Sequence, residues 1–291
     1  MDQYGLTVLN GLSWGMTVFL TAAGLTLVFG ILHILNFAHG GFVMLGAYLA
    51  YSILARAGSP SLWAFMGTTV TCAVILGLVG AVVDRFVFRR LSGVNESYSL
   101  IATYALLLLC QGAVKAIWGI DILSVPPPPE LRGATEIAGM YAPNFVLFVL
   151  ARGIVTFALL DFVVHRTEAG KTVQSVAMDP WMASLLGINV RVVLAATVVA
   201  GVALGGLAGA ILSVNQSLSP DMGSALIIQA FGVIIVGGMG NIRGAFLAAV
   251  LLGVVTAFGD RIFADIPGLF FYVALIAILM WRPQGLMKGL R

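Results

Sequence analysis

The chain has 291 residues, 60% of them hydrophobic and only 9% charged, with a formal net charge of +3 and a mean hydropathy of +1.05. A soluble domain carries about 25% charged residues, so this composition excludes a water-soluble enzyme, a disordered chain and a collagen. Its two cysteines, Cys72 and Cys110, lie in apolar runs and exclude a disulfide scaffold, and its scattered basic residues form no nucleic-acid patch.

Met1-Asp2-Gln3-Tyr4 lacks the basic start of a secretory signal, so the apolar stretch 5–29 reads as a membrane helix that stays in the protein. Further apolar segments follow at 40–56, 61–84, 96–118, 142–164, 192–214, 225–238, 245–259 and 268–281. Crossing a core of ~30 Å takes about 20 apolar residues, and several of these segments are short. The expected fold is an all-α polytopic membrane protein, one transmembrane domain over 1–291, with eight to ten membrane helices and discontinuous segments.

Asn36 and His39, followed by Gly40 and Gly41, stand between the first two segments. They read either as a polar corner satisfying backbone groups or as a broken helix lining a permeation route. Residues 119–141 form a long loop with prolines at 126–129, a stiff extended stretch. Arg152 falls near the middle of 142–164, where a charge costs about 2.5–3.5 kcal/mol and tends to face a bundle interior or a water-filled cavity. Its candidate partners are a substrate carboxylate, a backbone carbonyl or Asp161, which is too far along one helix for direct contact. No buried carboxylate is evident elsewhere.

The second long loop, 165–191, carries the most specific signal. Asp179 is a good N-cap, Pro180 suits the first helical position, and Gly187 suits the left-handed residue that ends a helix. These marks delimit a helix of about two turns bearing Trp181, Met182, Leu185 and Leu186. So short a helix is marginal alone. It either packs back on its own chain or plugs into a groove on a cytosolic partner. In the same loop, Gly170-Lys171-Thr172 imitates the end of a phosphate-binding loop, but His165 stands where that pattern needs glycine.

Gly201, Gly205 and Gly209 mark one face of the sixth segment, for close packing within the subunit or against a second one. Gly237-Gly238-Met239-Gly240-Asn241 breaks the apolar run between 225–238 and 245–259; such backbone survives in a membrane only if buried in protein or facing a wet path. Asn241-x-x-Gly244 also weakly echoes Asn36-x-x-His39, a hint of internal duplication. With the N-terminus outside and nine segments alternating, Arg85, Arg89, Arg90, Arg166, Lys171, Arg191, Arg243, Arg282, Lys288 and Arg291 fall inside. Only Arg56, Lys115, Arg132 and Arg261 then fall outside, as the positive-inside rule prefers.

The stretch Gly170 to Val190 closely resembles the cytoplasmic loop of branched-chain amino-acid (Liv-type) ABC transporter permeases. Asn36-Phe37-Ala38-His39-Gly40, Met44-Leu45-Gly46-Ala47-Tyr48, Val236 to Ala245 and Arg282-Pro283-Gln284-Gly285-Leu286 agree with the same family, in order along nearly the whole chain. The resemblance implies an inner-membrane permease subunit with its N-terminus periplasmic and its C-terminus cytoplasmic. It implies a related permease as partner, two cytosolic ATPase subunits that bind ATP-Mg, and a periplasmic substrate-binding protein. Residues 179–187 would then be the coupling helix seated on an ATPase. This chain itself would hold no cofactor or metal and would be no enzyme. The resemblance also predicts proline before Gly244, where this chain has Arg243; the departure leaves the solute open among branched-chain amino acids, urea, short amides and small organic acids. Candidates for the translocation path are Asn36, His39, Gly40, Arg152, Gly237, Gly238, Gly240 and Asn241.

The rival reading is a self-sufficient secondary transporter or channel, which normally needs ionisable groups in the membrane. A membrane enzyme lacks support, because His33, His39 and His165 are separated and have no ligand neighbours at metal-site spacing.

Overall fold

A computed structural model describes residues 2–32, 34–56, 61–91, 95–137 and 139–287. His33, Lys288 and Arg291 therefore lie outside the described residues. The order is α1 (Asp2–Leu32), α2 (Ala38–Arg56), α3 (Leu62–Val83), α4 (Arg89–Leu91), α5 (Glu96–Trp118), β1 (Ala134–Ile137), β2 (Met140–Pro143), α6 (Asn144–Arg166), α7 (Glu168–Met178), α8 (Pro180–Leu185), α9 (Val190–Asn215), α10 (Met222–Gly237), α11 (Ile242–Ile262) and α12 (Leu269–Trp281). Seven of the described helices are long and apolar enough to cross a bilayer, and α10 and α12 are shorter apolar helices. The protein is a multi-pass, all-α membrane protein.

α1 is the central post. The apolar window of α1 is 83% buried, against 22% for α6 at the periphery. α1 packs on α6, α9, α10 and α11, while α9 also packs on α2 and α3. Small residues set these distances: a Cβ on Gly24 would strike the carbonyl of Gly201, and one on Gly46 would lie 2.7 Å from the carbonyl of Gly206. Gly201, Gly205 and Gly209 lie against α1 and α2 of the same chain.

The sequence reading needs four corrections. The 165–191 connection holds two helices rather than one: α7 precedes the expected short helix, capped by Thr167, whose Oγ accepts from the Gly170 amide. Gly170-Lys171-Thr172 is thus helical. The 119–141 loop carries regular structure the sequence reading did not give it, ending in an antiparallel hairpin that pairs Ala134 with Pro143 and Ile137 with Met140. Backbone bonds between Leu123 and Leu218 stitch this loop to the α9–α10 connection.

The third correction is a buried carboxylate. Asp84 is 3% exposed where α3 passes through a π-helical turn, Asp84–Phe88, and it accepts from Arg89 Nε at 2.8 Å. A burial pattern alone could not show it, since only the wider turn lets Arg89 fold back. The fourth concerns Asp161. It pairs with Arg243 through both carboxylate oxygens, with Nη2–Oδ2 at 3.0 Å, and with His165 at 3.1 Å. Arg243, which stands where the resemblance predicts proline, thus joins α11 to α6.

Candidate functional site

The clearest candidate site is α8. Asp179 Oδ1 accepts from the amides of both Trp181 and Met182 at 2.9 Å, and Pro180 opens the helix. At the other end Gly187 adopts φ +84°, and Ile188 N donates to Ala183 O at 3.1 Å, closing the helix. Only Ala183 is buried, in a small cluster with Ile31 and Val176. That cluster and the tie from Gln174 Nε2 to Val164 O, 2.6 Å, anchor the α7–α8 unit to the ends of α1 and α6. The large side chains point away: Met178, Trp181, Met182, Leu185 and Leu186 are 48–75% exposed. The apolar face therefore does not fold back on its own chain. Burying one such side chain stabilises by about 1.5–3 kcal/mol, so this patch has several kcal/mol to give a surface that covers it.

The other named residues fall into three separate places. Asn36, His39 and Gly40 come together at the start of α2. His39 Nε2 donates to the Thr21 carbonyl at 3.0 Å, well back from Leu32, the last residue of α1. At 1.5 Å per residue this is roughly 16 Å inside the end of α1. Thr103 Oγ, also inside its helix, donates to Leu35 O at 3.2 Å. The connection before α2 thus runs back into the bundle, and α2 starts deep within it. Both polar atoms of the Asn36 side chain, and His39 Nδ1, are buried with no hydrogen-bond partner among the described residues. Gly40 lies against Gly223 of α10.

Gly237, Gly238, Gly240 and Asn241 lie elsewhere, near the α7–α8 end. Gly240 packs on Gly30, close to the end of α1. Positive φ at Gly238 (+102°) and Gly240 (+80°) makes a tight turn from α10 into α11, where Asn241 Oδ1 caps the Gly244 amide at 2.9 Å. Leu286 N donates to Val236 O at 2.6 Å, so the segment after α12 covers this turn. Arg152 stands alone on α6, half-buried. Among the described residues it makes no hydrogen bond or ion pair, and its Nε is buried.

Sequence reasoning passed over Gln111, Lys115, Asp221 and Ser224, which the fold brings together in pairs between α5 and α10. The only signal was their spacing along two helices more than a hundred residues apart.

Comparison with known proteins agrees with this architecture. Residues 7–279 match the family described as branched-chain amino acid transport system / permease component. The chain is 32% identical to the high-affinity branched-chain amino acid transport system permease protein BraD of Pseudomonas aeruginosa, over 98% of this chain and 96% of that protein. It is 26% identical to LivH of Escherichia coli, over 96% and 93%, and 24% identical to LivM of the same species, over 95% of this chain and 69% of LivM. The chain therefore belongs to the branched-chain amino acid transport permeases, a family of transport components and not of enzymes.

Proposed function

We propose that this chain is one of two membrane subunits of an ATP-binding-cassette importer that moves a branched-chain amino acid or similar small polar solute into the cytoplasm. The observation that carries the reading is α8: a helix capped at both ends that turns its large apolar side chains outward. Two cytosolic ATPases, which bind ATP-Mg, seat this helix, and their closure pushes α7–α8 against α1, α6 and α9. The α7–α8 end faces the cytoplasm, and the hairpin end faces the periplasm of a bacterial inner membrane, where a binding protein delivers solute. The second permease is a related chain, a reading supported by similarity to both LivH and LivM of one species.

Secondary transport gains little from Asp84, because a carboxylate already paired with Arg89 is a poor free carrier of protons. The test is Leu185→Glu in the reconstituted transporter. The variant should insert normally but lose solute uptake driven by ATP; unchanged coupled uptake would overturn the proposal. Gradient-driven uptake by this chain alone, without any ATPase, would favour the rival.

A further inference from the structure

The exposed faces of the peripheral helices differ in chemistry. α3 shows Val70, Val74, Leu78 and Val82, and α6 shows Ile154, Val155, Leu159 and Phe162, as suits hydrocarbon. The face shared by α5 and α10 is different. Tyr104, Leu108, Gln111 and Lys115 recur at three- and four-residue steps and form one stripe on α5; Ser224, Ile228 and Phe231 do the same on α10, with Asp221 at its N-cap.

The stripes run antiparallel and meet in rungs. Lys115 Nζ lies 3.1 Å from Asp221 Oδ1, and Gln111 Nε2 donates to Ser224 Oγ at 2.7 Å. Farther along, Phe37 from the entry to α2 wedges between Tyr104 and Phe231, with ring centroids 6.1 and 5.0 Å apart. α5 and α10 both lean on α2 and barely touch each other, so the rungs span a groove with α2 as its floor. Two buried side chains, on α2 and just before it, are unsatisfied: the Tyr48 hydroxyl and the Asn36 amide have no partner among the described residues.

We propose that this groove binds the solute during passage, as an amino-acid zwitterion. The inference rests on the importer reading and assigns its solute site. The Lys115–Asp221 pair is exposed on this chain, with side chains 44% and 75% accessible. Such a pair is weak and readily exchanges partners. Lys115 takes the solute carboxylate and Asp221 its ammonium, Gln111 and Ser224 open to the same polar end, and the Phe37–Tyr104–Phe231 cluster meets the apolar side chain. That cluster also closes the groove toward the α7–α8 end, so passage requires Phe37 to move.

The test uses the assembled transporter in proteoliposomes, with a charged, membrane-impermeant thiol reagent added from the hairpin side. Leu108→Cys and Ile228→Cys lie on the two stripes and are exposed; Val155→Cys sits on the apolar face of α6. The native Cys72 and Cys110 are buried, and the unsubstituted chain gives the background. The groove cysteines should label at least tenfold faster than Val155→Cys, and saturating leucine should slow them. In parallel, Gln111→Leu with Ser224→Ala should raise the KM for leucine uptake at least tenfold; an unchanged KM would count against the proposal. Labelling no faster than at Val155→Cys, or indifferent to leucine, overturns the proposal. Labelling needs no ATP turnover, so a failure of coupling at α8 would leave this result standing.

Discussion

α8 and the start of α2 are opposite exceptions to ordinary packing. α8 satisfies its backbone from within, through Asp179 and Gly187, yet leaves Trp181, Leu185 and Leu186 uncovered. The start of α2 is wholly covered, yet leaves the Asn36 amide without a hydrogen bond among the described residues. One region exposes what water disfavours, and the other buries what water would solvate. Each defect is local, and under the proposed function each would be relieved by something the isolated chain lacks: a protein surface outside, or a polar group arriving inside. Asn241 sharpens the contrast, because at a similar corner its side-chain oxygen caps the Gly244 amide.

The largest effect should come from stripping α8. Trp181→Ala with Leu186→Ala removes about 3–5 kcal/mol of burial against a partner. Affinity for the ATPase should then fall at least about 100-fold in a pull-down titration, with the melting temperature of the isolated chain unchanged. A drop in that temperature would mean the side chains already serve this chain's own core. Next, Asn36→Leu deletes two unsatisfied polar atoms and should stabilise the detergent-solubilised protein by about 1–3 kcal/mol, while slowing uptake. Destabilisation of that size would make Asn36 an ordinary structural residue and break the comparison.

The smallest effects concern the two caps that are in use. Asp179→Ala and Asn241→Ala should each cost about 1 kcal/mol. Hydrogen exchange should place the first loss in residues 180–187, with weaker coupling, and the second at the α10–α11 turn, with coupling retained. Equal effects on coupling would show that α8 is not special.

Much of this was legible because it is local. Apolar runs located the spans, and Asp179, Pro180 and Gly187 located α8, since caps act within a few residues. α7 escaped because Gly170 and its polar residues look like a loop; its buried Val176 and half-buried Val173 and Ala177 do keep helical spacing. The pairing of Asp161 with Arg243 and the rungs between α5 and α10 join residues far apart in sequence, which no periodicity reports. The sequence likewise showed Asn36 as a polar corner but could not show that its amide lacks a partner, which depends on how the connection folds back beside α1 and α5.

In the proposed importer, α8 is a socket-seeking surface for another protein. A photo-crosslinking residue at position 186 in the intact, membrane-embedded transporter tests it most directly. An adduct with the ATPase subunit that depends on the nucleotide state is expected. Adducts confined to this chain, or none under conditions of active uptake, would contradict it.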